Sequence, residues 1–345
     1  MNDFNPAPNQ DVAVLSRIRL ARNFEDIPFS PIISALEVDL LIGRAEAAIE
    51  NCSARQMFRL ERMSLLSPDE RGELIDHFQI SNDLLKYVDT AAVMLSEEKN
   101  LSIMIGEEDH LRIFSLLPGL QLEQSADLAY TADTWLEKSA SYAFDAQFGY
   151  LTACPTNAGT GLRGSVLLHL PILRATGQIG RVIQEVSKLG LTLRGLYNDN
   201  NEADGNIYYL SNHASLGRAE EDVLRSLSTA ATQIIRAERS VRENMLSQDE
   251  LLITDRLCRS IGILRCARLI NNKEWMQRWS DLRLSAVFGL LDASLSEIDH
   301  LMMDLQPSSL NSRVGKTLSE RESSTLRADI LRKKLSAMPD TFIEI

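Results

Sequence analysis

Residues Leu151–Pro171 read LTACPTNAGTGLRGSVLLHLP, with an apolar, β-prone segment at each end and a loop of small residues between them. The glycines at positions 159, 161 and 164 permit backbone torsions and close approaches that other residues avoid. Arg163 adds a planar cation that suits a phosphate or a carboxylate. The spacing matches neither a Walker A loop nor a GxGxxG nucleotide loop. Two interpretations are therefore open: an anion-binding loop, or a plain β-hairpin with a glycine-rich turn.

Upstream, residues 12–23 read VAVLSRIRLARN, a β-prone run that carries several arginines. Side chains alternate between the two faces of a strand, so Arg17 and Arg19 are predicted to project from the same face. Two guanidinium groups on one face repel each other unless an anion lies between them. The pair indicates either another part of an anion site or a solvated edge strand whose charges oppose aggregation.

A cluster of acids lies between these two segments, in GEEDHLRIFSL at residues 106–116. The cluster follows a predicted strand directly, so one of the acids at positions 107–109 can point into a pocket that Arg112 reaches from the next strand. In the alternative interpretation these acids are exposed turn residues. His110 is expected to be structural and bonded to the backbone, because a single histidine without a partner motif rarely acts in catalysis.

The remaining sequence predicts an α+β protein. Helical periodicity and capping signals predict helices at residues 35–50, from Ser67 onwards, and at 123–147, 178–189 and 218–246. Strand patterns occur at 91–95, 101–105, 191–197 and 206–210. Beyond residue 248 only helical patterns occur, including a capping box at Ser319 and Glu322. We predict a mixed α and β domain over residues 1–247 and an all-helical domain over residues 248–345.

Charge and cysteine content narrow the class of protein. The formal net charge is −12, which argues against a general nucleic-acid or anionic-membrane binder. No apolar run is long enough to cross a membrane, and the first residues do not resemble a secretion signal, so a cytoplasmic location is expected. The four cysteines are scattered, which predicts neither a disulfide framework nor a zinc site.

Four separated motifs, taken in order, resemble the catalytic domain of the phosphagen (guanidino) kinases over roughly residues 11–240. They are the arginine pair near the start, EEDHLR, CPTNAGTGLR and RGLYNDNNEADGN. The resemblance implies an antiparallel β-sheet flanked by helices. It also implies transfer of the γ-phosphoryl group of ATP, with Mg²⁺, to a guanidinium nitrogen.

By match to these motifs, the resemblance also implies site residues. Glu108 would orient the guanidinium, Asp199 would supply a second carboxylate, and Cys154 would line the same pocket. The nucleotide phosphates would be held by five arginines: Arg17, Arg19, Arg112, Arg163 and Arg194. A set of arginines and carboxylates suits phosphoryl transfer, because that reaction is catalysed mainly by positioning the reactants and by neutralising charge on the phosphoryl oxygens.

Within that family the chain resembles the McsB-type bacterial protein arginine kinases. The helical substrate domain expected before the first arginine motif is absent, and DRLCRSIGILRCARLI, KEWMQRWSDLRL and RADILR lie in the helical C-terminal region. The resemblance implies protein substrates with exposed arginines, an McsA-type activator, a ClpC-type protease and a homodimer formed through the helical domain. Trp275 and Trp279 are either part of that dimer contact or core residues.

The sequence departs from the family pattern at three places. Asp199 replaces a glutamate, and Thr90 replaces an arginine that would contact the nucleotide. In a C-terminal motif that senses phosphoarginine in the family, Arg327 is kept but Ser323 and Ser324 replace an arginine and an aspartate. The leading hypothesis is an active protein arginine kinase. The alternatives are an inactive adaptor that binds nucleotide or protein and, less favoured, a small-molecule guanidino kinase.

Overall fold

The computed structural model describes residues 7–29, 32–50, 58–196 and 203–339. Its strands are β1 (Ala13–Arg22), β2 (Phe58–Arg62), β3 (Ala92–Ser96), β4 (Leu101–Ile105), β5 (Leu111–Pro118), β6 (Phe144–Asp145), β7 (Gly149–Tyr150), β8 (Leu162–His169), β9 (Leu191–Gly195) and β10 (Ile207–Asn212). Eight of them form one sheet in the order β2-β3-β4-β5-β1-β8-β10-β9, and β6 pairs with β7 separately. Neighbouring strands are antiparallel throughout. The predicted α+β class with an antiparallel sheet is confirmed.

Helices cover both faces of this sheet. They are α1 (Ala35–Glu50), α2 (Pro68–Asp76), α3 (Leu122–Glu137), α4 (Pro171–Ala175), α5 (Ile179–Ser187), α6 (Glu220–Cys266), α7 (Asn272–Val287), α8 (Leu295–Asp304), α9 (Pro307–Val314) and α10 (Glu320–Leu335). The predicted capping boxes at the starts of α2 and α10 are both formed. In the part of the chain that the structure describes, no helix is both long and apolar enough to cross a bilayer.

The two faces of the sheet are packed differently. On one face, alternate residues such as Ile18, Leu20 and Ile113 form a single large core with α1, α3 and the first half of α6. The other face carries two smaller apolar clusters. We call the first the loop cluster; it joins Phe114 to residues of the 63–95 segment. We call the second the helical cluster; it joins Leu167 to the C-terminal helices α7–α10. The C-terminal helices therefore pack directly against the sheet.

The helix predicted over residues 123–147 is wrong in its second half. Helix α3 ends at Glu137, and β6 and β7 form a small hairpin beyond it. Gly149 has a positive φ of 76°, and a Cβ on it would collide with the carbonyl oxygen of Gly159. Tyr150 instead forms an isolated bridge with Gly159. Close backbone contact between β7 and the glycine-rich loop therefore replaces the last turns of the predicted helix.

The predicted domain boundary near residue 247 falls inside α6. This helix runs from Glu220 to Cys266 but is broken at Asp249, where φ is −154° and ψ is 73°. The boundary stays a prediction, and the break lies just beyond it. Trp275 and Trp279 are both fully buried in the helical cluster, so of the two roles suggested for them the core role is correct. Buried side chains cannot form a contact between two folded copies.

Candidate active site

All five predicted phosphate-binding arginines project from one face of the sheet. Arg19 on β1 lies directly opposite Arg163 on β8, and Ala21 on β1 lies opposite Arg112 on β5. Residues opposite each other in an antiparallel pair share a face. Arg194 on β9 reaches the same face through the continued register across β10. The prediction that Arg17 and Arg19 project from the same face of β1 is correct. Strand pairing places arginines from distant parts of the chain on that same face.

Four of these arginines surround a cavity of about 190 Å³. Its lining consists of guanidinium and hydroxyl side chains: Arg17, Arg19, Arg163, Ser165, Thr192, Arg194, Tyr209 and Ser211. No carboxylate is among these residues, although the region 197–202 lies outside the described residues. A cavity with this lining has a strongly positive potential and suits an anion.

Burial and mutual repulsion make these positive charges costly. Burial, together with the positive charges of Arg112 and Arg163, lowers the pKa of Arg19 to about 9. Burial also lowers the pKa of Arg163, and nearby Arg17 and Arg194 add to the effect. Both shifts mean that the folded protein disfavours the charged form, and a bound anion would relieve that cost.

Arg112 stands beside the cavity and is held by two acids. Its guanidinium lies 2.5 Å from a carboxylate oxygen of Glu107 and 2.5 Å from one of Glu108. The Glu107 side chain is fully buried and accepts a hydrogen bond of 2.7 Å from the Ser81 hydroxyl. The Glu108 side chain is 42% exposed. Glu107 is thus a structural partner of Arg112, whereas Glu108 has a free side toward solvent.

Asp109 ties the acid cluster to the loop that contains Cys154. One of its oxygens accepts hydrogen bonds from the backbone N–H of Ala153, at 2.8 Å, and from the amide of Asn23, at 2.9 Å. In the same loop the side-chain oxygen of Asn157 accepts a hydrogen bond of 2.6 Å from Arg19. The loop is therefore attached at two points to the strands that carry the arginines.

His110 has the structural role that the sequence suggested. Its Nδ1 accepts a hydrogen bond from the backbone N–H of Phe24 at 3.0 Å. Its Nε2 therefore carries the proton and donates to the carbonyl oxygen of Pro28 at 2.9 Å. Burial lowers the pKa of His110 and keeps the ring neutral.

Cys154 is half-buried in this loop, with its Sγ 3.0 Å from the Thr156 hydroxyl. It does not line the cavity, and its role in the pocket stays a prediction. Two of the loop glycines are required by contacts inside the protein, and the approach of this loop to a ligand stays a prediction. Gly159 and Gly161 have positive φ angles of 100° and 66°, and a Cβ on either would meet backbone atoms of Leu216 or Ala21. Dense packing inside the protein already requires glycine at both positions.

Of the other predicted residues, Thr90 and Arg327 are not brought to the cavity. Asp199 lies outside the described residues. Thr90 is half-buried just before β3, where its hydroxyl donates to the carbonyl of Tyr87 at 3.5 Å. Arg327 is 1% exposed, and it donates to the carbonyl oxygens of Leu305 and Ile270, each at 2.8 Å. Its regulatory role stays a prediction, and in this structure its guanidinium faces the interior of the helical region.

Two aromatic residues at the site were not identified from the sequence. The guanidinium carbon of Arg17 lies 5.0 Å from the ring centre of Phe114 and 5.0 Å from that of Tyr209. The strand alternation of β10 places Tyr209 on the same face as Ser211, but only the pairing of β10 with β8 and β9 shows that this is the arginine face. An antiparallel sheet that presents arginines around one cavity, with an accessible carboxylate bound to a neighbouring arginine, defines a protein with a site suited to an anion such as phosphate.

Family models identify the class further. A model for the C-terminal catalytic domain of the ATP:guanido phosphotransferases matches residues 41–241. A model for the C-terminal domain of the protein-arginine kinase McsB matches residues 249–344. The chain belongs to the ATP:guanido phosphotransferase family, as the sequence motifs indicated.

Relatives with a protein-arginine kinase name match almost the whole chain. The enzyme of Caldanaerobacter subterraneus subsp. tengcongensis is 39% identical over 330 residues, which cover 95% of this chain and 98% of the relative. That of Symbiobacterium thermophilum is 40% identical, covering 96% and 95%. That of Geobacillus stearothermophilus is 40% identical, covering 95% and 91%. These relatives are named as kinases, so the comparisons give the adaptor hypothesis no support.

Solved structures agree on the fold. A duplicated taurocyamine kinase from Schistosoma mansoni matches with a TM-score of 0.58 and 29% identity, over 66% of this chain and 33% of that longer one. A lombricine kinase matches with a TM-score of 0.57 and 22% identity, over 68% of each chain. Both are kinases by name, and the second likeness supports the fold alone.

Proposed function

We propose that this protein transfers the γ-phosphoryl group of ATP to arginine side chains of other proteins. One observation carries the assignment: four guanidinium groups from three different strands line one cavity, and Arg112 beside it is bound to the accessible Glu108. The named relatives and the match of the C-terminal domain support arginine as the acceptor.

The cavity arginines supply the main electrostatic contribution. Arg17, Arg19 and Arg163 would bind phosphate oxygens in the interior of the cavity, while the exposed Arg194 would bind them at its rim. Charge on the phosphoryl oxygens is spread over several atoms during transfer, and fixed cations around them lower the barrier without having to reorganise. Because these cations repel one another, an anion bound among them would relieve that repulsion.

Glu108 is the acid best placed to act on the substrate. A guanidinium has a pKa above about 12 and is a poor nucleophile while protonated, so a carboxylate must orient it and help to remove a proton. Glu107 cannot take this role because it is fully buried against Arg112. Glu107 instead holds Arg112 in place, and the second catalytic carboxylate predicted at Asp199 completes the proposal.

Mg²⁺ is implied by the family. Among the described residues, no group of three or more histidine, cysteine, aspartate or glutamate side chains could hold a metal ion. Mg²⁺ usually keeps several waters and binds one or two carboxylates together with substrate phosphates, so an ion held mainly by ATP fits this site. Glu108 is the described carboxylate that could join it. When bound, the ion would neutralise charge on the phosphates.

Several finer features are proposed from the resemblance to the McsB-type kinases. The substrates are proteins with exposed arginines, and the expected partners are an McsA-type activator and a ClpC-type protease. The protein is expected to form a homodimer through its helical domain and to act in the cytoplasm. We propose no nucleic-acid or membrane partner, in keeping with the net charge of −12.

Incubation with Mg-ATP and casein, followed by mass spectrometry without acid, tests this function. Acid must be avoided because an N-phosphoryl bond is acid-labile. We expect phosphate on arginine side chains of casein, and we expect Glu108→Gln to abolish it. Glu97→Gln provides the matched control, because Glu97 is an exposed acid in the turn between β3 and β4 and should be dispensable. Binding of ATP without any transfer would contradict the kinase assignment and favour the adaptor.

A further inference from the structure

Tyr209 occupies a central position in the arginine cavity. It lies on β10 directly opposite Arg194 and lines the cavity. Its ring and that of Phe114 enclose the guanidinium of Arg17, each with its centre 5.0 Å away. The ring of Tyr209 also packs against the helical cluster. A cation over two aromatic faces is attracted to both, so the ring of Tyr209 limits where the Arg17 guanidinium can lie.

The hydroxyl of Tyr209 is not explained by this packing. It is buried and has no hydrogen-bond partner within the described part of the chain. The other hydroxyls of the cavity differ, because Thr192 and Ser211 lie 3.1 Å apart and Ser165 donates to the Arg17 carbonyl at 3.5 Å. Burying a hydroxyl without a partner is costly, so such a group in a binding cavity points to a ligand atom.

The surroundings of the hydroxyl define the chemistry of that ligand. The charged groups that line the cavity are all guanidinium groups, which only donate hydrogen bonds. A ligand that satisfies them must be an anion rich in acceptor oxygens, and the same acceptors can receive the phenolic proton.

We propose that Tyr209 contacts the nucleotide: its Oη donates a hydrogen bond to a phosphate oxygen of ATP, while its ring holds Arg17 against Phe114. This inference rests on the assignment of the cavity to the phosphates of ATP. It adds a phenolic donor to the guanidinium donors of the site, and it gives Tyr209 one role through the hydroxyl and another through the ring.

The neighbouring tyrosine provides a matched control. Tyr208 is adjacent in sequence and fully buried, and its hydroxyl also lacks a partner among the described residues. Because side chains alternate along β10, Tyr208 projects from the opposite face, into the large core formed with α1, α3 and α6. Any general effect of removing a buried phenolic hydroxyl from this strand should therefore appear equally in Tyr208→Phe.

The test compares four variants of the full-length protein: Tyr209→Phe, Tyr209→Leu, Tyr208→Phe and Arg163→Ala. Calorimetry would give the Kd of Mg-ATP, and kinetics would give kcat and KM for ATP and for casein. Tyr209→Phe should raise the Kd and the KM of ATP about tenfold, the usual effect of losing a hydrogen bond to a charged group, and leave the KM of casein unchanged. Tyr208→Phe should bind ATP like the unmodified protein, and Tyr209→Leu should lose more affinity than Tyr209→Phe.

Three other outcomes would contradict the Tyr209 contact, and one of them would also contradict the assignment of the cavity to ATP. If Tyr209→Phe binds ATP normally while Arg163→Ala does not, the proposed contact is wrong and the cavity assignment stands. If neither change affects ATP, the cavity does not hold the phosphates, and both ideas are overturned. A rise in the KM of casein alone would place the hydroxyl against the protein substrate and would also overturn the contact with ATP.

Discussion

Two groups of arginines in this molecule lie in contrasting environments. Arg22, Arg283 and Arg327 are almost completely buried, and each is bound by other groups of the protein. Arg22 lies 2.7 Å from Asp133, Arg283 lies 2.7 Å from Asp299, and Arg327 donates to two backbone carbonyls. In the cavity, by contrast, the side chains of Arg17, Arg163 and Arg194 make no hydrogen bond or ion pair with any described residue.

The presence or absence of protein partners distinguishes arginines that stabilise the fold from arginines that are available to bind a ligand. A buried guanidinium bound to a carboxylate has already recovered part of its desolvation cost. A partly buried guanidinium surrounded by other cations has not, and it can recover that cost only from an anion that enters the cavity. Folding stability and ligand binding should therefore depend on different arginines.

The largest stability effect is expected at the Arg283–Asp299 pair, whose side chains are 0% and 8% exposed. Asp299→Ala leaves a buried guanidinium without its carboxylate and should lower the free energy of unfolding by about 3–5 kcal/mol. Urea denaturation measures the change. Asp329→Ala is the matched control, because Asp329 pairs with Arg332 on the exposed side of α10 and should cost less than about 1 kcal/mol. Equal losses in the two variants would remove the distinction between the environments.

In the cavity the opposite result is expected. Arg163→Ala should abolish ATP binding at accessible concentrations, because it removes a cation from the centre of the site, and it should leave the free energy of unfolding unchanged or higher because it relieves repulsion. Calorimetry with Mg-ATP and urea denaturation of the same preparation measure both quantities.

A ligand control sharpens this prediction. ATP at 100 times its Kd should stabilise the unmodified protein by about 2.7 kcal/mol and should not stabilise Arg163→Ala. Normal ATP affinity in Arg163→Ala, or a large loss of stability without ligand, would place Arg163 among the arginines that hold the fold.

Among the buried arginines, a smaller loss of stability is expected at Arg327, which has carbonyl partners and no carboxylate within the described residues. Burial lowers the pKa of Arg327 to about 10, so its charge is costly. Arg327→Met would remove that cost but leave the carbonyls of Leu305 and Ile270 without donors, and a net loss of about 1–2 kcal/mol is expected in urea denaturation. The Kd of ATP should not change. A change in ATP affinity would connect the helical region to the cavity and favour the predicted regulatory role of Arg327.

Strand alternation and helix-capping patterns in the sequence predicted part of the site and part of the fold correctly. Alternation along β1 places Arg17 and Arg19 on one face and Arg22 on the other, where it binds Asp133. The capping boxes at Ser67 and Ser319 mark helix starts correctly. Asp109, by contrast, stands beside Glu108 in the sequence but binds a loop that begins more than forty residues later, and no local pattern reveals that.

The amino-acid sequence by itself determined the family, the α+β class, the arginines of the cavity and the helical character of the C-terminal region. The α+β class and the helical character follow from local spacing, because backbone torsion and the side of burial are encoded within a few residues. The family and the arginines of the site follow from the resemblance of the four motifs. Only the tertiary structure decided that Glu107 is a buried partner and Glu108 is accessible, that the glycines serve packing, and that Tyr209 encloses Arg17. Each of these depends on contacts between distant segments, which strand register and core packing create only when the whole chain has folded.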